Sequence, residues 1–243
     1  IGLSDESSPE NKILRNGTDI TGDGEPDIVV SHWSGGAHCC FDYYIFSLGK
    51  EVKLIQKLEM EDCANVKIED LDKDGVYEFI GYDFAFAYWH ASFAGSPAPT
   101  VILKYKDGAY RLALELMAKP LPTPEEERKL LLSDHTEREH LCSKDYWSWQ
   151  KDGVCVTSDV WGHMLDLIYT GHPAEAWRFL DSVWAGNENT KEWFIYDFKS
   201  RLVSSQYVDQ LPVDLFGYGS VASDSLTDYI KTMQKIRNEG DGE

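Results

Sequence analysis

The sequence has no apolar run near the ~20 residues that a helix needs to cross a bilayer, and it has few basic residues. Its 243 residues include 23 Lys and Arg against 42 Asp and Glu, a formal net charge of −19. Because nucleic acids and anionic membranes attract positive charge, this balance argues against both as partners and favours cations and basic surfaces. With 42% hydrophobic and 13% aromatic residues, the chain has enough apolar material for packed cores.

Catalytic motifs are also lacking. The sequence contains no Gly-x-Ser-x-Gly elbow, no phosphate-binding Gly/Lys loop and no dinucleotide fingerprint. His135 and His140 lie five positions apart, about 140° on a helix, whereas a zinc-binding helix has its histidines on one face. Acidic pairs are too common in this chain to single out a glycosidase dyad. The sequence therefore names no catalytic residue and favours a protein that is not an enzyme.

Only five cysteines are present. Cys142 and Cys155 flank a short loop and form the predicted disulfide. Cys63 is expected to pair with Cys39 or Cys40, and that choice stays open because bonding between adjacent cysteines is strained. The alternative is that all five are reduced and buried. Disulfides indicate an oxidising compartment, and the polar start at Ile1, without methionine, is interpreted as that of a mature or trimmed product, so we expect a secreted or periplasmic protein.

Two acidic loops are the most specific feature of the sequence. Residues 70–78 carry carboxylates at loop positions 1, 3, 5 and 9 and glycine at position 6, and residues 19–27 repeat the pattern with threonine at position 3. Alternate side chains of a coiled loop converge on one point, and the glycine allows a sharp turn that brings in the carbonyl of position 7. Because Ca²⁺ prefers six to eight oxygen ligands, each loop is a predicted Ca²⁺ site.

These loops, each leading into a hydrophobic strand, resemble the calcium-binding loops of FG-GAP/VCBS-type repeats, which occur in integrin-like β-propellers and many secreted bacterial proteins. The resemblance covers about residues 16–117. It implies that the first site consists of the side chains of Asp19, Thr21, Asp23 and Asp27 with the Glu25 carbonyl. The second would consist of Asp70, Asp72, Asp74 and Glu78 with the Val76 carbonyl. With three carboxylates against four, the first loop is expected to bind more weakly. Neither loop has the position-12 glutamate of an EF-hand.

The pattern of apolar residues predicts an α+β fold. Strand-like runs lie at 27–30, 41–48, 52–58, 77–82, 101–105 and 110–116, with hairpin turns at 48–51 and 106–109. After the proline-rich joint at 119–124, helices are predicted at 124–141, at 158–169, from Pro173, at 189–204 and at 224–237. Two repeats are too few to close a propeller. We therefore expect residues 1–120 to form an antiparallel β-repeat region, a partial propeller-like sheet or a sandwich, and residues 121–243 to form a helical region.

Between each acidic loop and its hairpin lies a segment that combines aromatic, histidine and small residues. One interpretation is a ligand surface, with Trp33, Tyr88 and Trp89 as stacking anchors and His32, His38 and His90 as polar contacts. A second is a soft-metal site that uses His32, His38, Cys39 or Cys40. A third is simple packing between the sheet and the helices.

The only specific chemistry in the sequence is therefore metal ligation. We expect a Ca²⁺-dependent, non-enzymatic binding or interaction module with a protein or glycan as partner. The alternative is a hydrolase that acts on an envelope or extracellular polymer and forms its cleft from the aromatic and histidine segments. A closed pocket that holds one of those histidines beside a carboxylate would favour the hydrolase.

Overall fold

The computed structural model describes residues 14–36, 40–62, 66–132, 142 and 148–212, without the side chains of residues 128 and 130–132. The chain forms two compact units. The β unit contains the chain up to Asp83 and Thr100–Leu116, and the helical unit contains Phe84–Pro99 and the chain from Met117. Residues 84–99, which are expected in the β-repeat region, belong to the helical unit. Antiparallel sheets and helices together confirm the predicted α+β class.

The β unit consists of two antiparallel sheets. The first has the order β1 (Asp27–Trp33), β2 (Phe41–Leu48), β3 (Val52–Glu59). The second has the order β4 (Lys67–Glu69), β5 (Glu78–Tyr82), β6 (Thr100–Lys106), β7 (Ala109–Leu112). Both predicted hairpins are confirmed, β2–β3 and β6–β7. The second turn places Asp107 and Gly108 at positive φ, as a two-residue Asp-Gly hairpin requires.

The core of the β unit is built from the alternate residues of its strands. Val29, Tyr43 and Ile45 are buried in the first sheet, and Phe79 and Tyr110 are buried in the second. The Phe79 ring lies edge-on to both tyrosines, with centroids 6.2 Å from Tyr43 and 4.9 Å from Tyr110. Aromatic packing around Phe79 therefore joins the two sheets.

Two details of this unit differ from the prediction. The strand predicted through residue 116 ends at Leu112, and Leu114–Met117 form a short helix, α1. Apolar residues that alternate over so few positions fit one turn of helix as well as a strand. Strand β4 was not predicted, because its three residues carry no run of β-forming side chains.

The helical unit combines helices with one small hairpin. Its elements are α2 (Pro124–Leu132), β8 (Trp149–Lys151), β9 (Val154–Val156), α3 (Ser158–Tyr169), α4 (Pro173–Val183) and α5 (Glu188–Leu202). The predicted helix at 158–169 and the helix start at Pro173 are confirmed. A capping box opens α2, where Glu126 Oε2 accepts a 2.7 Å bond from Thr123 N. The predicted continuation to residue 141 and the helix at 224–237 lie outside the described residues.

The hairpin and α5 also correct the prediction. Residues 149–156 were interpreted as part of a loop, yet they pair as β8 and β9 around Asp152 and Gly153, both at positive φ. Helix α5 begins at Glu188 and not at Asn189, because Asn187 Oδ1 accepts a 2.9 Å bond from Thr190 N and caps the helix.

Aromatic rings fill the core of the helical unit. Trp161, Phe194 and Phe198 are almost fully buried, and the ring centroid of the half-buried Trp89 lies 5.1 Å from that of Trp161.

The predicted Cys142–Cys155 disulfide is present, with Cα atoms 5.9 Å apart. In the part of the chain that the structure describes, no helix is long and apolar enough to cross a membrane.

Candidate cation sites in the acidic loops

The first acidic loop folds around the carboxylate of Asp19. Asp19 Oδ1 accepts a 2.7 Å hydrogen bond from Gly22 N, and Oδ2 accepts a 2.8 Å bond from Gly24 N. Both glycines have left-handed φ, 73° and 89°, a conformation that costs glycine little. Asp23 Oδ1 accepts a 2.8 Å bond from Glu25 N. The residues at positions 1 and 5 thus hold the backbone in a tight turn.

The buried side chain of Asp27, at position 9, accepts hydrogen bonds from positions 2 and 3 of the loop. The residue is 2% exposed, and its Oδ2 accepts bonds from Ile20 N at 2.9 Å and from Thr21 N and Thr21 Oγ1 at 3.1 Å. Its Oδ1 is buried and has no hydrogen-bond partner among the described residues. A buried carboxylate oxygen without a partner is costly unless a cation lies beside it.

The second acidic loop repeats this bonding. Asp70 Oδ2 accepts from Gly75 N at 3.2 Å, Asp74 Oδ1 accepts from Val76 N at 2.9 Å, and Glu78 Oε2 accepts from Leu71 N at 2.8 Å. The two loops therefore share three hydrogen bonds. In each loop the carboxylate at position 1 accepts a bond from the N–H of position 6, the carboxylate at position 5 accepts one from the N–H of position 7, and the carboxylate at position 9 accepts one from the N–H of position 2. The two nine-residue segments adopt the same turn.

The second loop differs because it contains a basic side chain. Lys104 Nζ lies 2.7 Å from Asp72 Oδ2, 2.7 Å from Asp74 Oδ2 and 3.1 Å from Glu78 Oε1. Burial lowers the pKa of Lys104, but its hydrogen bonds to the three carboxylates outweigh burial and raise that pKa above its ordinary value. The Lys104 hydrogen bond, together with the one from Val76 N, also lowers the pKa of Asp74.

The two loops lie side by side in the β unit. Tyr77 N donates a 2.9 Å hydrogen bond to Ile20 O, and a Cβ on Gly22 would lie 2.9 Å from Val76 Cγ2. Burial, and next the charge of Asp27, raise the pKa of Tyr110, whose hydroxyl lies 3.5 Å from Ile20 O. The carboxylate of Asp27 in the first loop therefore acts electrostatically on Tyr110, a core residue of the second sheet.

Several of the predicted ligands come together. One ligand atom each from Asp70, Asp72 and Glu78 lies within 4.8 Å of the others, a spacing that could hold a metal ion, whereas Asp74 is not in this group and the described carboxylates of the first loop form no such group. In the first loop Thr21 Oγ1 is 3.5 Å from Asp19 Oδ1 and 3.1 Å from Asp27 Oδ2. The side chain of Glu25 lies against Gly49, which leaves only its carbonyl for the predicted role. Hard oxygen donors of this kind suit Ca²⁺ or Mg²⁺.

The candidate ligand surface of the β unit is open to solvent. Trp33 is 57% exposed and stacks on Phe41 with centroids 6.1 Å apart. His32 Nδ1 lies 3.5 Å from Asp42 Oδ2, and the histidine side chain is 56% exposed. His38 and Cys39 lie outside the described residues. Cys40 is disulfide-bonded, so in this state it offers no thiolate for a soft metal or for nucleophilic attack.

The other three candidates lie in the helical unit. Tyr88 is 60% exposed and at φ 60°, whereas the half-buried Trp89 packs on Phe86, with centroids 5.2 Å apart. The His90 ring lies 4.9 Å from Trp89. Burial lowers the pKa of His90, and the charge of Asp197 partly offsets this effect. Trp89 therefore packs against the rings of the helical unit, and Tyr88 alone of the three is well exposed.

Lys104 is a functional residue that the sequence does not predict. The hairpin at 106–109 fixes only the pairing of β6 with β7, whereas β5 and β6, which bring Glu78 and Lys104 together, are joined by the long segment 83–99. The opposite charge therefore comes from a neighbouring strand whose register the loop motif does not contain.

These elements define a mixed α+β protein with two oxygen-rich loops, and its relatives are similar to it only in part. No family model matches the chain and no solved structure matches it. A segment of 109 residues is 29% identical to a probable thylakoid lumen protein of Synechocystis, and covers 44% of this chain and 32% of that protein. A segment of 82 residues is 37% identical to an uncharacterised protein of Sinorhizobium fredii, and covers 33% of this chain and 13% of that protein. The matches thus span about a third or less of each relative.

Proposed function

We propose that this chain is a calcium-binding protein that acts as a non-enzymatic binding or interaction module. The observation that carries the proposal is the buried Asp27 Oδ1, which lacks a hydrogen-bond partner inside a loop of oxygen donors. A divalent cation beside this oxygen would satisfy it, and Asp19, Thr21 and Asp23 are the predicted further ligands in the same loop. Ca²⁺ is the cation that best fits carboxylate, hydroxyl and carbonyl donors in an irregular loop.

Calcium has a structural role in this proposal. Clustered carboxylates repel one another without an ion, and an ion that binds only the folded state stabilises it by RT ln(1 + [L]/Kd), about 2.7 kcal/mol at a hundredfold excess over Kd. The exposed side chains of Trp33 in the β unit and of Tyr88 in the helical unit are two separate candidate contacts for a protein or glycan partner, because exposed aromatic rings are typical anchors of binding surfaces.

We assign the protein to a secreted or periplasmic location. Two observations support this assignment: Cys142 is bonded to Cys155, and Cys40 is also disulfide-bonded. Disulfides persist in oxidising compartments. A relative named as a probable thylakoid lumen protein agrees with a location outside the cytoplasm.

The exposed setting of His32 favours the module over the hydrolase. A catalytic histidine is normally held in a cleft beside the carboxylate that orients it. His32 lies 3.5 Å from Asp42, but the histidine side chain is 56% exposed.

Thermal unfolding of the metal-stripped protein tests the proposal, with Ca²⁺, Mg²⁺ or Zn²⁺ added back. Ca²⁺ should raise Tm strongly, Mg²⁺ less, and Asp27→Asn should abolish the rise. Asp107→Asn is the matched control, because Asp107 lies in an Asp-Gly hairpin turn that also accepts asparagine. A rise with Zn²⁺ alone, or an equal Ca²⁺ response in Asp27→Asn, would contradict the assignment.

A further inference from the structure

The two acidic loops differ at one strand position. Asp27 begins β1 and lies opposite Ser47 of β2. Glu78 begins β5, and the register of that sheet, in which Phe79 pairs with Leu103, sets Lys104 of β6 opposite it. The same place beside the position-9 carboxylate thus holds a neutral hydroxyl in the first sheet and an ammonium in the second.

We propose that Lys104 is a built-in cation that takes the place of Ca²⁺ in the second loop, so that only the first loop binds the ion. This inference rests on the proposed calcium function and specifies which loop performs it. Two similar turns thus differ in the cation that neutralises their carboxylates: Lys104 in the second loop and Ca²⁺ in the first.

The geometry around Lys104 supports its role as a replacement for the ion. A lysine ammonium has three donors, and Lys104 Nζ meets oxygens of Asp72, Asp74 and Glu78 at 2.7 to 3.1 Å. These are three of the four carboxylates predicted as ligands of the second site. Ca²⁺ would need oxygens from the same groups and would have to expel an ammonium whose side chain is only 15% exposed. Charge-assisted hydrogen bonds of this kind are strong.

Among the described residues, the first loop has no such basic partner. No ion pair between described residues reaches Asp19, Asp23 or Asp27. Asp27 Oδ1 and the corresponding Glu78 Oε1 are both buried without a well-aligned hydrogen bond among the described residues, but only Glu78 Oε1 has a cation beside it, Lys104 Nζ at 3.1 Å. Carboxylate counts alone rank the second loop as the stronger site, and Lys104 reverses that order.

Exchanging the two strand residues tests the inference. Calcium stoichiometry and affinity are measured by titration calorimetry on metal-stripped protein. The unmodified chain should bind one Ca²⁺, Lys104→Ser two, Ser47→Lys none, and the double exchange one. In the unmodified chain Asp27→Asn should weaken binding on the order of tenfold or more, whereas Asp70→Asn should leave the affinity nearly unchanged. Lys106→Ser is the matched control, because Lys106 is an exposed lysine of the same strand.

The outcomes separate this inference from the proposed function. One Ca²⁺ in both the unmodified chain and Lys104→Ser would overturn the role of Lys104 and leave the calcium function intact. Two Ca²⁺ in the unmodified chain would do the same. No Ca²⁺ in the unmodified chain but one in Lys104→Ser would uphold the blocking role and refute calcium binding by the first loop. No binding to any variant would overturn both.

Discussion

The side-chain amide of Gln56 forms hydrogen bonds with both the N–H and the C=O of the Tyr110 backbone. Tyr110 N donates to Gln56 Oε1 at 2.6 Å, and Gln56 Nε2 donates to Tyr110 O at 3.4 Å. Gln56 lies on β3 and Tyr110 on β7, which are edge strands of the two sheets. A primary amide has the donor and acceptor of a peptide group, so one side chain replaces a strand pairing at this junction.

Gln56→Leu should therefore destabilise the protein. It leaves the backbone N–H and C=O of the buried Tyr110 without partners, which costs roughly 1 to 3 kcal/mol per group. Gln56→Glu keeps the acceptor of the shorter bond and should cost less. Denaturant unfolding measures both variants, with Lys53→Leu on the exposed side of β3 as control. Equal stability of Gln56→Leu and the unmodified protein would contradict this role.

Alanine substitutions at two glycines of the first loop test the contact between the loops. Gly22 and Gly24 both have left-handed φ, 73° and 89°, so alanine at either costs roughly 1 kcal/mol of backbone strain. A Cβ at Gly24 meets nothing within 4 Å, whereas one at Gly22 would lie 2.9 Å from Val76 Cγ2. Gly22→Ala should therefore lower Tm clearly more than Gly24→Ala in calorimetry, and equal losses would show that the second loop can move away without cost.

The fold of the β unit was largely predictable because its signals are local. The Asp107-Gly108 turn and the strands beside it follow from turn chemistry and β-forming residues. The β8–β9 hairpin carries a comparable Asp152-Gly153 turn, which was overlooked because each strand has only three residues. The assignment of Phe84–Pro99 to the helical unit was beyond the sequence, since this segment has neither period 2 nor period 3.6.

The turns of the two acidic loops could be predicted from the sequence, but the presence of the Lys104 ammonium in the second loop could not. The positions of Asp19, Asp70 and the two position-6 glycines fix the turns, and the structure has these turns. Lys104 is 26 residues beyond Glu78 in the chain, and only strand pairing brings them together. Electrostatics across strands depends on register, which a loop motif does not contain.

The Cys142–Cys155 disulfide should stabilise the helical unit. The two cysteines are 13 positions apart, and closing a loop of that length restricts the unfolded chain by about 3 kcal/mol. The double variant Cys142→Ser, Cys155→Ser should lose most of that stability in denaturant unfolding followed by tryptophan fluorescence. Non-reducing peptide mass analysis of the unmodified protein should find the two cysteines linked, and free thiols at both would refute the pairing.

His90 should make the stability of the helical unit depend on pH. Burial lowers its pKa below the ordinary value of 6.5, against a smaller opposing effect of Asp197. Between the folded and unfolded pKa values the unfolded chain binds the proton more readily, so stability falls as the pH drops below 6.5 and levels off below the folded pKa. His90→Asn should remove this component, and asparagine tolerates the left-handed φ of 50° at this position. A histidine pKa measured by NMR at or above 6.5 for His90 would contradict the prediction, as would an unfolding free energy whose pH dependence is the same in His90→Asn.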